Sequence, residues 1–467
     1  MINQLVKGTD RLLGRKGPVR PPSGAERVFA VLTGRPRRDQ MLRIGSRGGL
    51  GTGRDRRKTG ETTLVKILDS TLREGEQMPG VYFDQHIKLA AADLLDAVGV
   101  DFIEAGHPSV TREIHDAVKI LANRGLRAKV AAHARSIQSD VEMALECGVS
   151  LIGVFYCVSD RRLDEVFRKD LDTAIEQISE TIRFAKETDP SLMIRYTPED
   201  TVRSEFRNVV EAASAAVRSG ANIISIADTT GCMIPGTDRS MYDYVKRFRD
   251  ALASSGLEPW IAVHCHNDRG LAVANALDAY RAGADIIDVS VLGIGERAGI
   301  VDLATLLAVL TEDFGETAWN LEALPELYEL VAKYSGIETP PNLPVTGSNA
   351  FTHCAGVHTD AALKNPTHYE SLNPALLGRN TRFALDHMSG SSSVRYALDM
   401  IGVTLDDDDM IADLVQTVKQ VGKRGRCVDL SEFEAIVECC RAKQNHSSST
   451  APTQAEPKIP TCAPLRL

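Results

Sequence analysis

The chain has 467 residues, of which 43% are hydrophobic and 25% charged, and its formal net charge at pH 7 is −9. No apolar run approaches the roughly 18–20 residues that a transmembrane helix needs, so we expect no membrane span. Nine cysteines without a repeated C-x-x-C spacing argue against a zinc ribbon or a disulfide scaffold, and they favour reduced thiols in a cytoplasmic enzyme.

The basic residues are concentrated at the N-terminus. Residues 1–60 hold fifteen basic and four acidic residues, a balance of +11, which leaves −20 for residues 61–467. The segment 1–61 is rich in Gly, Pro and Arg, which predicts a disordered leader. It is a solvated tail, a transit-like peptide, or untranslated sequence ahead of a later start at Met41. The acidic remainder argues against nucleic acid as a partner.

From Leu64 onward, short apolar runs alternate with longer amphipathic stretches, which is typical of βαβ units. Eight such units over about 240 residues predict an α/β fold, a (β/α)₈ TIM barrel across residues 62–320. The segment after the first strand, DSTLREG, is not a dinucleotide-binding fingerprint. The predicted strands are Leu64–Leu68, Phe102–Ala105, Lys129–His133, Leu151–Tyr156, Met193–Tyr196, Ile223–Ala227, Ile261–Cys265 and Ile286–Val291.

The stretches between these strands have helical periodicity. In Leu271–Arg281, for example, Val273, Ala276, Leu277 and Tyr280 fall on one predicted face. After the barrel the pattern becomes irregular and helical, which predicts a mostly helical linker and C-terminal region over residues 321–444. The Ser/Thr/Pro-rich residues 445–467 are predicted to be a disordered tail.

Reactive side chains follow the predicted strands, at the end where TIM barrels carry their active sites. The sharpest local signal is His264-x-His266, because residues i and i+2 of a strand point to the same face and both imidazoles can reach one ion. A carboxylate such as Glu74 would complete a two-histidine, one-carboxylate set. Since strand eight separates strands one and seven, these groups are expected to converge over the barrel mouth.

Two other features at the strand ends have alternative interpretations. Arg195 either recognises a carboxylate or phosphoryl group, with His133 as a second donor, or forms a structural ion pair with Glu199 or Asp200. The glycines of GIGERAG at residues 293–299 are better interpreted as turn positions than as a phosphate cradle.

Four motifs, in this order, resemble the DRE-TIM metallolyase superfamily and, within it, the homocitrate, isopropylmalate and citramalate synthases. They are DSTLREGEQ at 69–77, HCHND at 264–268, GIGERAG at 293–299 and NAFTHCAGVHTDAALKNPTHY at 349–369. The resemblance covers about residues 64–443. It implies an acyltransferase that joins acetyl-CoA to a 2-oxo acid, with a divalent metal ion (Zn, Mn, Mg or Co) as cofactor and a domain-swapped homodimer as the assembly.

The resemblance also assigns roles to particular residues. The implied metal ligands are Glu74, His264 and His266. Arg73 is expected to stabilise developing oxygen charge, while Glu199, His358 and Tyr369 are expected to act in acid/base work on acetyl-CoA. Which group takes the acetyl proton stays open. The expected substrate-binding residues are Gln77, His133, Arg195, Thr197 and Thr229.

The identity of the oxo acid rests on fewer residues. His133 and Arg195 occupy positions where homocitrate synthases bind the remote carboxylate of 2-oxoglutarate, which favours that substrate. Thr197 replaces the usual serine, and Arg269 and Leu271 replace the usual Thr and Cys. A shorter acidic 2-oxo acid such as oxaloacetate, phosphonopyruvate or phosphinopyruvate is therefore an alternative, as is an isopropylmalate or citramalate synthase.

Two rival functions can be weighed from the same residues. A hydroxymethylglutaryl-CoA lyase would need a catalytic cysteine in the loop after strand eight, but that loop reads GIGERAG. A non-catalytic scaffold is disfavoured because the implied metal ligands, Arg73 and His358 are all present.

Overall fold

The computed structural model describes residues 64–447, with side chains up to residue 443, and a two-residue strand at Leu32–Thr33. This strand pairs antiparallel with Arg382–Phe383. Apart from it and the end of the last helix, the predicted leader 1–61 and tail 445–467 lie outside the described residues.

Eight parallel strands close into a barrel in chain order, so the predicted TIM barrel is confirmed. Each predicted strand is present, with ends that agree to within three residues. Strand β8 pairs with both β7 and β1, as the prediction of a shared mouth required. The strands are β1 Lys66–Asp69, β2 Phe102–Glu104, β3 Lys129–Arg135, β4 Leu151–Cys157, β5 Met193–Glu199, β6 Ile223–Asp228, β7 Trp260–Cys265 and β8 Ile286–Val289.

A helix follows each strand. Several begin at side-chain caps: Asp84 accepts from Ile87 N, and Asp302 accepts from Thr305 N, which satisfies backbone donors of the first turn. The helices are α1 Gln85–Val98, α2 Arg112–Ala122, α3 Gln138–Glu146, α4 Leu171–Thr188, α5 Phe206–Arg218, α6 Met241–Ala253, α7 Ala272–Arg281 and α8 Leu303–Phe314. Helix α9, Leu324–Ser335, comes next.

The residues predicted to share one face of α7 pack against the barrel core. Ala276 is buried, and Val273, Leu277 and Tyr280 are half-buried against that core. Ala272 and Ala279 are buried as well, and these small side chains let the helix lie close to the barrel, with the larger ones to either side.

An apolar plug fills the end of the barrel where the strands begin. It takes one inward-facing residue from each strand, and it packs as a core separate from the one between strands and helices. We call these eight residues the plug: Leu68, Phe102, Ala131, Leu151, Met193, Ile223, Ala262 and Ile286.

The described residues divide into two compact units. The barrel unit comprises residues 64–353 and 365–381. It includes residues beyond 320, where the sequence places the end of the barrel domain, and that domain boundary stays a prediction. The C-terminal unit comprises residues 354–364 and 382–447 and has its own core, including Leu398, Leu414 and Phe433. Its helices are α10 Gly356–Lys364, α11 Ser391–Met400, α12 Asp408–Gly422 and α13 Leu430–Ser447. No helix among the described residues is long and apolar enough to cross a membrane.

Candidate active site

A layer of mostly polar residues lies directly above the plug. Because side chains alternate along a strand, the residue two positions after each plug residue again faces the barrel axis. We call this set the polar layer: Ser70, Glu104, His133, Gly153, Arg195, Ser225, His264 and Asp288. On each strand, a step of two residues thus separates the apolar plug from the mostly polar layer above it.

Glu74, His264 and His266 converge at the mouth, where His264 belongs to this layer and the other two residues lie above it. One ligand atom from each lies within 4.8 Å of the other two, and all three side chains are buried. The Nε2 atoms of the two histidines are 3.3 Å apart. That is the separation expected of two nitrogen ligands that each lie about 2.1 Å from one ion.

Neighbouring groups keep this cluster in the form that binds a cation. Burial opposes the ionisation of Glu74, but the charge of Arg73, and then those of the two histidines, hold its pKa at about 2. Burial also lowers the pKa of His266 to about 4, so its ring is neutral at pH 7. A carboxylate and two imidazoles are a donor set that zinc and similar divalent ions accept, so the residues fit the implied metal.

Asp288 fixes the orientation of the first histidine. His264 Nδ1 lies 2.9 Å from Asp288 Oδ2, and since a carboxylate only accepts, Nδ1 carries the hydrogen and Nε2 faces the cluster. Asp288 is fully buried, yet Arg195 and then His264 keep its pKa below the usual value. Asp288 was not among the residues predicted from the sequence, although a carboxylate inside the apolar run IIDV was a usable signal.

The loop after β8 supports the third member of the cluster. Glu296 N donates to Glu74 Oε1 at 3.1 Å, and a Cβ on Gly295 would lie only 2.9 Å from Glu74 Cγ. Gly293 and Gly299 have φ of +62° and +80°, a region that favours glycine. The interpretation of these glycines as turn positions agrees with this geometry, and Gly295 in addition gives the loop room to approach Glu74.

Arg73 and His133 share a second buried carboxylate. Arg73 Nε donates to Glu104 Oε2 at 2.7 Å, and His133 Nδ1 lies 3.1 Å from Glu104 Oε1. Burial, and then the charge of Arg73, lower the pKa of His133 to about 4, so the ring is neutral at pH 7. Its face stacks on Phe155, with ring centroids 4.7 Å apart.

A buried lysine holds the loop that carries Arg73 and Glu74. Lys88, on α1, is 1% exposed, and its ammonium donates to Leu72 O at 2.6 Å, to Ala105 O at 2.9 Å and to Glu76 Oε2 at 2.7 Å. Through these three hydrogen bonds, Lys88 ties the loop to the residue that follows β2. Helical periodicity gave no sign of this role, because a lysine on an amphipathic helix is normally solvated.

Arg195 has a partner that the sequence did not predict. Its guanidinium donates to both oxygens of Asp288, at 2.9 and 2.5 Å, and to Ser225 Oγ at 2.6 Å. The predicted structural alternative, a pair with Glu199 or Asp200, is not what the described residues form. Arg195 Nε is buried and has no partner among them.

The remaining predicted barrel residues line the rim of the mouth. Glu199 accepts from Arg162 Nη1 at 2.7 Å, and Thr229 Oγ1 accepts from Asp200 N at 2.9 Å. Thr197 is half-buried on the inward face of β5. The exposed Gln77 holds its amide group between the side chains of Arg73 and Glu74.

The two predicted residues beyond the barrel belong to different units. His358 is exposed on α10 of the C-terminal unit. Tyr369 belongs to the barrel unit, where its ring lies 6.4 Å from that of His353. His353 Nε2 in turn lies 3.3 Å from Glu370 Oε1.

Comparison with known proteins adds independent findings. Residues 64–331 match the HMGL-like family, and residues 345–426 match the family described as homocitrate synthase post-HMGL domain-like. The homocitrate synthase of Pyrococcus abyssi is 42% identical over 353 residues, which cover 76% of this chain and 94% of that protein. Homocitrate synthase AksA of Methanocaldococcus jannaschii is 38% identical over 383 residues, which cover 82% and 92%.

Among solved structures, the HMG-CoA lyase of Bacillus subtilis superposes with a TM-score of 0.51 at 22% identity, covering 60% of this chain and 96% of that one. At this identity the likeness concerns the barrel fold alone. The fold and the cluster at its mouth define a TIM-barrel enzyme of the metal-dependent DRE-TIM class. This chain belongs to the HMGL-like family, in the homocitrate synthase group. It is therefore an acyltransferase, and the chemistry of this group is acetyl-CoA-dependent condensation with a 2-oxo acid.

Proposed function

We propose that the oxo acid is anionic and that 2-oxoglutarate is the preferred one, so that the product is homocitrate. One observation carries this proposal: His133 and Arg195 flank Gly153 in the polar layer. Gly153 pairs in register with His133 on one side and with Arg195 on the other. Because Gly153 has no side chain, it leaves room between the His133 ring and the Arg195 side chain, where a carboxylate can lie beside the Arg195 guanidinium.

The charge balance of the site also favours an anion. The buried carboxylates of Glu74, Glu104 and Asp288 all have pKa values below their usual range, so three negative charges face the two guanidinium groups of Arg73 and Arg195. A bound divalent ion would turn this net charge of −1 into +1. The 1-carboxylate that every 2-oxo acid carries would balance that excess.

The chain's own groups suit the steps of the condensation. A divalent ion held by Glu74, His264 and His266 would supply Lewis acidity to the ketone of the oxo acid. Arg73, fixed by Glu104, is placed to stabilise the oxygen that gains negative charge when the new carbon–carbon bond forms. We assign Glu199, His358 and Tyr369 to proton transfer on the acetyl group, with Glu199 oriented by Arg162.

A second candidate, condensation with a shorter anionic oxo acid, is favoured by the next inward-facing positions. Phe155 and Thr197 pair in register on β4 and β5, two residues beyond Gly153 and Arg195. The Phe155 ring covers His133, and Thr197 carries one more methyl group than a serine would. Together they narrow the space above Gly153, which suits an oxo acid with a shorter tail.

The assembly and the location are also proposals. The exposure of His358, together with Val357 at 75% exposure on the same helix, is what a domain-swapped homodimer requires, since such groups then meet a partner subunit. We further propose a cytoplasmic enzyme, as the reduced cysteines favour.

The test is release of free CoA from acetyl-CoA by the full chain with Mn²⁺, over a panel of oxo acids. We expect 2-oxoglutarate to give the highest kcat/KM. Preference for oxaloacetate or phosphonopyruvate would favour the second candidate. Turnover only with pyruvate or 2-oxoisovalerate would contradict the roles of His133 and Arg195, and no CoA release with any oxo acid would contradict the function.

A further inference from the structure

Asp288 connects two parts of the site that otherwise have separate tasks. Its Oδ2 accepts from His264 Nδ1 and from Arg195 Nη2, and its Oδ1 accepts from Arg195 Nη1. One carboxylate, fully buried, therefore serves both a metal ligand and the arginine assigned to substrate recognition.

The two partners of Asp288 compete for the same oxygen. A carboxylate that is drawn toward Arg195 is a weaker acceptor for His264, and the reverse also holds, because each charge-assisted bond depends on the electron density of the shared atom. Arg195 can bind a further anion while it stays paired with Asp288, since its Nε is buried and has no partner among the described residues.

We propose that Asp288 is a positioning residue that couples the two halves of the site, orienting His264 toward a divalent ion and Arg195 toward the remote carboxylate of the oxo acid. The inference rests on the function proposed above for Arg195. Coupling of this kind is reciprocal: the factor by which an anion bound at Arg195 changes the affinity for the ion is the factor by which the ion changes the affinity for the anion.

The first measurement is Co²⁺ binding to the metal-free full chain by calorimetry, with no oxo acid present. Asp288→Asn should weaken Co²⁺ binding by about 10- to 100-fold, the usual range for groups that support a metal ligand. The matched control is Asp285→Asn. Asp285 also pairs with an arginine, Arg249 at 2.7 Å, but at the opposite end of β8, and its substitution should leave Co²⁺ binding unchanged.

A double-mutant cycle then tests whether Asp288 transmits the effect. Arg195→Gln should tighten Co²⁺ binding by about threefold to tenfold, because Asp288 is left to His264 alone. In the Asp288→Asn background the same change should alter Co²⁺ binding by less than about twofold. An equal effect in both backgrounds would overturn the coupling, because it would come from the charge of Arg195 acting directly on the ion.

Steady-state kinetics at saturating Co²⁺ test the substrate half. Asp288→Asn should raise KM for 2-oxoglutarate at least about tenfold more than KM for acetyl-CoA. Equal increases would overturn the link to substrate recognition even if the metal cycle shows coupling. If the wild-type chain turns over no oxo acid, the proposed function fails, whereas the metal cycle still decides whether Asp288 couples Arg195 to His264.

Folding is checked by circular dichroism for every variant. If Asp288→Asn does not fold, Asp288→Glu replaces it, because it keeps the charge but displaces the carboxylate by one methylene. The same weakening of Co²⁺ binding and the same selective rise in KM are expected. Unchanged Co²⁺ binding in a folded Asp288→Glu chain would overturn the proposal.

Discussion

The plug and the polar layer occupy the same barrel and face the same axis, two residues apart on every strand. In the plug, apolar side chains such as Leu68 and Leu151 meet each other and exclude water. In the polar layer, the carboxylates accept hydrogen bonds from the imidazoles and from the Arg195 guanidinium. The barrel thus separates stability from chemistry along its axis, so that substitutions in the two layers should have different consequences.

Substitution in the cluster of Glu74, His264 and His266 at the mouth should have the strongest effect on activity. Glu74→Gln removes a charge that both histidines face, and should abolish tight binding of the divalent ion. Turnover should fall by at least about 1,000-fold, the upper range for losing one group that stabilises the transition state. Metal content per chain and CoA release measure this. Glu113→Gln, an exposed carboxylate on α2, is the control, and a metal-replete Glu74→Gln chain would contradict the assignment.

The plug should respond in stability instead. Leu151→Ala removes a fully buried side chain, so the free energy of unfolding should fall by about 3 kcal/mol, within the usual 2–5 kcal/mol for such changes. Urea denaturation measures it. At 25 °C the KM values of the folded fraction should be nearly unchanged. A large rise in KM for the oxo acid alone would show that the two layers are not separable.

The neutral histidine of the polar layer predicts a pH dependence of stability. His133 has a folded pKa of about 4, below its ordinary value of about 6.5. As the pH falls below about 6.5 the unfolded chain takes up the proton first, so this residue destabilises the fold progressively down to pH 4. Between pH 7.5 and pH 5, the wild type should lose about 1–2 kcal/mol more unfolding free energy than His133→Gln. Equal losses would contradict the pKa shift.

Substitution of Gly153 compares the two layers on a single strand, and its expected effect is the smallest. Gly153 stands two residues beyond Leu151, and a Cβ there would lie 3.4 Å from His133 Nδ1, close but without a clash. Gly153→Ala should therefore change stability by less than about 1 kcal/mol. By filling the space between His133 and Arg195, it should raise KM for the oxo acid about tenfold. An unchanged KM would mean that the substrate's tail lies elsewhere.

Local patterns in the sequence predicted the barrel and most of the mouth, because strand alternation and strand ends are local properties. The pairs that depend on barrel closure were not predictable. Arg195 and Asp288 are 93 residues apart and meet only because β5 and β8 face each other across the axis. Lys88 lies on a helix whose pattern predicts a solvated lysine. The role of Gly153 comes from the space that its missing side chain leaves between residues of the two neighbouring strands. Motif resemblance supplied Glu74, His264 and His266, but not the groups that hold them.

We propose that the mouth binds an anionic 2-oxo acid together with a divalent ion. Calorimetric titration of the full chain with 2-oxoglutarate, with and without Mn²⁺ and without acetyl-CoA, measures this binding. We predict that 2-oxoglutarate binds only when Mn²⁺ is present, and at least about tenfold more tightly than 2-oxoisovalerate. Equal affinity for the two oxo acids, or binding that does not depend on Mn²⁺, would contradict the account.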